Sequence, residues 1–177
     1  MSGFAGNAYQ PQYILRPVSR LFIACSLAAA MMLNILPWGH WFWVPDFVAL
    51  VLVFWNIHQP RKVGIGLAFV MGLLMDVHDA SLLGEHALAY TLLSYGAIML
   101  HRRVLWFSLR AQAVHVFPLF LLAQGASVLV RLIVGASFPG VLMFAESVVM
   151  AMLWPVASYL LLAPQRRPVD RDETRPL

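Results

Sequence analysis

Apolar positions in this chain fall in blocks of about 15–24 residues, interrupted only by short polar or charged clusters. A transmembrane helix needs roughly 20 mostly apolar residues, within a range of about 17–25, because each residue rises about 1.5 Å through a hydrocarbon core about 30 Å thick. Six blocks approach that requirement: 21–37, 41–57, 63–77, 83–100, 111–134 and 141–163. The turn Pro37-Trp38-Gly39-His40 joins the first two. The third and fourth are short and separated only by His78-Asp79-Ala80-Ser81-Leu82, so a re-entrant hairpin competes there with two full crossings. The pattern predicts an all-α integral membrane protein of six transmembrane helices occupying 18–163. Residues 1–17 and 164–177, polar or rich in proline and arginine, are expected to be mobile cytoplasmic tails. The first block is too long for a signal-peptide core and is followed by Pro37-Trp38 rather than a small-residue cleavage site, so it is expected to remain as a span.

Composition agrees. The 177 residues are 61% hydrophobic and 11% charged, against about 45–50% and about 25% in soluble domains, which excludes a water-soluble enzyme. The net charge of +4 does not mark a nucleic-acid binder, because the basic residues cluster at block ends. Of the 12 Lys and Arg residues, all but Arg131 fall on one side of the six-span arrangement. The other side carries Asp46, Asp76, Asp79, Glu85 and Glu146. Positive residues near span ends stay in the cytoplasm, so both termini are expected there. The charge pattern supports an even number of crossings. Trp38, Trp41, Phe42 and Trp43 are expected at the outer interface, and Trp55, Trp106 and Phe107 at the inner one, where amphipathic rings anchor. The single cysteine, Cys25, excludes a disulfide framework.

Polar residues within the blocks carry the remaining information. Gly64, Ala68, Gly72 and Asp76 recur at four-residue steps and form a narrow stripe on one helix face, which allows close helix approach and turns Asp76 into the contact. Packing is preferred here over a ligand-binding or proton-handling aspartate. His78, Asp79, Glu85 and His86 are types that ligate metals, but their spacing matches no compact motif, and no metal or other cofactor is expected. Asp79 and Glu85 are read as a solvated loop in which Gly84 supplies a tight or left-handed turn. Asp46 follows Pro45 at a helix start, where an acid meets the positive end of the dipole. Arg131 and Glu146 lie inside their spans. Because a charge in hydrocarbon costs at least about 2.5–3.5 kcal/mol, Arg131 is expected either to snorkel or to reach Asp46, Asp76 or Glu146. These four residues form a candidate intramembrane charge network or pocket. The segment from His101 to Arg110 mixes bases with apolar residues and suits either anionic lipid at the inner interface or a docking partner. Catalysis has no support: the serines have no GxSxG-like setting, and no P-loop, dinucleotide-binding glycine pattern or HExxH is present.

At Pro45-Asp46, at Gly72-Leu73-Leu74-Met75-Asp76 and at Leu83-Gly84-Glu85-His86-Ala87-Leu88, the chain resembles the rod shape-determining protein MreD family, whose pattern there is G-x-x-x-D followed by L-G-x-x-A-L. The resemblance implies a non-enzymatic, multi-pass subunit of the bacterial inner membrane that helps maintain rod shape by scaffolding peptidoglycan synthesis. Its implied partners are MreC and, in the same cell-elongation complex, MreB, RodA and a penicillin-binding transpeptidase. The family is similar in fold to the substrate-binding subunits of energy-coupling-factor transporters. That similarity places Asp46, Asp76 and Glu146 beside an outward-facing pocket and supplies the rival reading, a substrate-capture subunit of a vitamin-type transporter.

Overall fold

A computed structural model describes residues 14–15, 18–38 and 44–167. The expected interfacial residues Trp41, Phe42 and Trp43, the tail residues Arg16, Arg171 and Arg175, and most of both tails lie outside them.

Six α-helices follow one another: α1 Arg20–Ile35, α2 Phe47–His58, α3 Gly64–His78, α4 Glu85–Leu105, α5 Leu109–Ile133 and α6 Ala145–Leu162. A 3-10 turn, Val141–Phe144, leads into α6, and another, Ala163–Gln165, leaves it. Two helical stretches, Leu109–Ile133 and Val141–Gln165, are each long and apolar enough to cross a membrane. The predicted blocks map onto the helices in order, with shifts that have local causes. α2 begins at Phe47 because Asp46 caps it, accepting the Ala49 N–H at 3.0 Å. α4 continues past 100 through His101, Arg102 and Arg103 to Leu105. The bases between 101 and 110 lie on two helices, His101, Arg102 and Arg103 on α4 and Arg110 on α5, on either side of the tight Trp106-Phe107-Ser108 turn.

Burial is arranged around α2. Every residue from Val48 to Ile57 except the partly buried Val51 is buried, including Phe54 and Trp55. Trp55 stacks edge-on against Phe22 and Phe54 and donates its indole N–H to Ser26 at 2.8 Å. It is a core residue joining α1 to α2, not the interfacial anchor its place in the sequence suggests. Trp106, by contrast, is 90% exposed. The outer faces of the other helices are apolar and uncovered: Leu21 and Met32 on α1, Phe69, Val70 and Val77 on α3, Met99 on α4, Leu122 and Leu129 on α5, Met152 and Leu160 on α6. A perimeter this apolar is far beyond the patches soluble monomers expose, and lipid is the solvent that suits it. Prolines inside two helices, Pro118 in α5 and Pro155 in α6, remove one ladder N–H each, a defect that packed membrane helices tolerate.

Two short segments flanking the helices pair with each other. Ile14–Leu15 pairs antiparallel with Arg166–Arg167, Leu15 opposite Arg166. A short stretch of the first tail thus lies beside a short stretch of the second.

Candidate functional site

Polar residues built around the interior carboxylates gather where the C-terminal ends of α1 and α3 meet the N-terminal ends of α2, α4 and α6, while the pair Asn56 and Ser94 and the pair Trp154 and Gln112 lie elsewhere in the bundle. Two centres organise them, each a carboxylate that satisfies backbone N–H groups a helix leaves open at its start.

The first centre is Asp76, on the last turn of α3 and 1% exposed. Its Oδ2 accepts the Gly84 N–H at 2.8 Å and the Ala87 N–H at 3.4 Å, and its Oδ1 accepts the His86 N–H at 2.7 Å. The Ser81 hydroxyl donates to Oδ1 at 3.1 Å and the His86 ring Nδ1 lies 3.0 Å from the same atom. Asp76 therefore caps α4 from a neighbouring helix, which α4 needs because its own cap residue, Gly84, has no side chain. Gly84 sits at φ 104°, a left-handed conformation open to glycine and costly to other residues. Four positions along α3, the spacing closes up further. A Cβ built on Gly72 would lie 2.4 Å from the Ala87 Cα and 2.6 Å from the His86 carbonyl oxygen. Gly72 thus brings the α4 backbone close enough for Asp76 to reach its N–H groups. Ala68 is fully buried on the same face. Gly64, the stripe's first member, has nothing within 4 Å of its Cβ position and adopts φ 62°, so it serves the turn into α3 rather than a helix contact.

The loop between the helices carries one cost. Ala80 has φ 48°, and the Ser81 N–H returns to the Asp76 carbonyl at 3.1 Å, as in the helix-ending motif whose left-handed position is usually glycine. Left-handed backbone costs a residue with a Cβ about 1–2 kcal/mol. Ala80→Gly is therefore expected to stabilise the protein by up to about 1 kcal/mol, part of the gain being offset by the freer unfolded chain. A rise in the midpoint of thermal unfolding in detergent checks it; a fall would mean that the loop is unstrained.

The second centre is Asp46. Beyond capping α2, its Oδ1 accepts Asn34 Nδ2 at 2.8 Å from α1, and its Oδ2 accepts the Tyr90 hydroxyl at 2.5 Å from α4. Asn34 Oδ1 takes the Phe47 N–H at 2.9 Å in return. The Asp46 N–H donates to Glu146 Oε1 at 3.2 Å, and Glu146 Oε2 accepts Gln124 Nε2 at 2.7 Å. Gln124 also donates to the Met143 carbonyl and accepts from the Ser147 hydroxyl. Asp46 and Glu146 thus tie α1, α2, α4, α5 and α6 together.

Arg131 reaches none of the three acids expected of it. Its Nε donates to Glu85 Oε1 at 2.6 Å, joining the end of α5 to the start of α4. Glu85 is 2% exposed and so is not the solvated loop residue its surroundings in the sequence suggest, while Arg131 is 39% exposed. The four-residue network divides accordingly. Asp46 and Glu146 are in contact, Arg131 lines a cavity of about 110 Å³ with them, and Asp76 stands apart, linked to that cavity through His86. A second depression of about 230 Å³ opens beside Asn34, Asp46 and Asp79. Arg131→Ala leaves the Glu85 carboxylate without its cation. The pair sits at a rim that water reaches, so the expected loss is about 1–2 kcal/mol, read from chemical unfolding in detergent, with Glu85→Gln/Arg131→Ala recovering part of it.

Asn34, Ser81, Tyr90, Gln124 and Ser147 are not among the candidate site residues that the sequence points to. Asn34 and Gln124 do carry a signal, since a lone amide within an apolar block seeks a partner at its own depth. The others give none outside the fold. Among the described residues no three His, Cys, Asp or Glu side chains are grouped to hold a metal ion.

Helices with greasy perimeters, joined inside by carboxylates that are spent on capping and stapling, define a structural membrane protein. The comparisons agree on which one. The model of the rod shape-determining protein MreD family matches residues 15–164, and the chain belongs to that family, which is structural and not enzymatic. The chain is similar to the rod shape-determining protein MreD of Haemophilus influenzae, with 34% identity over 99 residues, 52% of this chain and 61% of that relative. The alignment thus spans less than two thirds of the relative's length. No solved structure matches.

Proposed function

We propose that this chain is a six-span subunit of the bacterial inner membrane that helps set rod shape by scaffolding peptidoglycan synthesis, with MreC as its immediate partner and MreB, RodA and a penicillin-binding transpeptidase in the same complex. The carrying observation is that the interior carboxylates are already engaged by protein donors, whereas the perimeter offers long apolar helix faces to lipid and to other membrane helices. Family membership supports the role in shape. Capture of a small molecule is not favoured: the two polar depressions, about 110 and 230 Å³, are each smaller than the roughly 300–1,000 Å³ of ligand pockets.

Depletion in a rod-shaped bacterium is the test. Rounding of the cells, with MreC recovered alongside the tagged chain, supports the scaffold; unchanged shape with auxotrophy for a vitamin supports transport instead. Single cysteines at Asp79 and Leu83, both accessible, in a Cys25→Ala background address the crossing of α3 and α4. Labelling from outside intact cells is expected for six spans, and labelling only from the cytoplasm would establish a re-entrant hairpin.

A further inference from the structure

A groove of about 340 Å³ runs between α1 and α3, floored by Leu27, Ala28 and Met31 on one side and Leu67 and Met71 on the other. Ala24 and Ala28, one turn apart on α1, keep it open because their side chains end at Cβ. Arg20 and Lys62 stand at its mouth, and the lining includes no acidic residue. Arg20 is exposed and has no salt bridge among the described residues. Lys62 spends one of its three donors on the Val18 carbonyl at 2.5 Å, which fixes the ammonium at the mouth with the others free.

We infer that this groove binds one anionic phospholipid, with its phosphate between Arg20 and Lys62 and an acyl chain along Ala24, Ala28 and Met31. Charge selects the occupant: two cations at one end of an otherwise apolar trough match an anionic head on a hydrocarbon tail. Length agrees. From Ile23 to Met31 the helix rises about 12 Å, close to the roughly 15 Å of one leaflet of a 30 Å core. A transmembrane helix of a partner would meet the apolar walls but leave both cations without a counter-charge. The site rests on the membrane embedding proposed above. Cysteine labelling tests that embedding separately, so failure of one is distinguishable from failure of the other.

The full chain in mild detergent is offered phosphatidylglycerol and phosphatidylcholine of identical acyl chains, and bound lipid is counted by native mass spectrometry. Phosphatidylglycerol should be retained about twenty-five-fold better, each cation contributing about fivefold. Arg20→Gln/Lys62→Gln, which keeps an amide donor for the Val18 carbonyl, should abolish the preference while circular dichroism and monodispersity stay unchanged. Ala28→Phe keeps both cations but fills the trough, and should lower retention of both lipids several-fold. Glycerol 3-phosphate at equal concentration should not compete. Equal retention of the two lipids, an undiminished preference in the double variant, or competition by glycerol 3-phosphate would each overturn the site. So would an Ala28→Phe protein that keeps its lipid but loses self-association or a co-purifying membrane partner, since the trough would then be covered by a helix.

Discussion

Asp76→Ala is expected to cost about 3–5 kcal/mol and to abolish shape complementation, the largest effect of any single substitution in the helices. Three N–H groups at the start of α4, from Gly84, His86 and Ala87, end on that one carboxylate. Removing it leaves buried donors with no water to turn to, at about 1–3 kcal/mol each before relaxation. The variant is expected to unfold at lower denaturant in detergent and, if the proposed scaffold role holds, to recover less MreC. Asp76→Asn separates capping from charge. An amide offers one acceptor and points two donors at other donors, so it should restore only a minor part of the loss. Full restoration by Asn would show that a single hydrogen bond suffices and that the carboxylate does something else.

Gly72→Ala should act on the same contact from the other side, at about 2–4 kcal/mol. The added methyl would sit 2.4 Å from the Ala87 Cα, and that neighbour is backbone, which cannot swing aside as a side chain would. α3 and α4 must then separate, and the N–H groups of α4 move out of reach of Asp76. Because the two substitutions damage one contact, their costs should not add; a Gly72→Ala/Asp76→Ala protein no less stable than Asp76→Ala alone is the expected result of the cycle, and strict additivity would dissociate them. By contrast Gly66→Ala, on the same helix with nothing within 4 Å of its Cβ position, should be neutral or mildly stabilising.

The sequence made the helices legible because lipid demands long apolar runs, and each of the six runs became one helix. It also made the Gly72 to Asp76 register legible, since four-residue spacing on a helix has only one geometric meaning. The cap itself was out of reach. Nothing in the order of residues says that the first turn of α4 folds back onto Asp76; that depends on Gly84 turning left-handed and on Gly72 admitting the backbone. Arg131 was assigned the wrong acids for a related reason. Hydrophobicity alone puts Glu85 in water, whereas α4 begins at Glu85 and carries it inward against α5. Trp55 failed in the opposite direction. An indole near a block end is ordinarily an anchor, but α2 is enclosed by its neighbours and has no interface to anchor in.

The unequal heights of the helices bear on the surrounding bilayer. α1 and α3, of 16 and 15 residues, stand about 24 and 22 Å tall, while α5, of 25 residues, stands about 37 Å. On the six-span reading proposed above, lipid along the short flank would thin to meet it, and lipid along the tall flank would thicken or the helix would tilt, each ångström of mismatch costing a fraction of a kcal/mol. On that reading the protein sits as a step in membrane thickness, with shorter acyl chains expected on one flank and longer ones on the other.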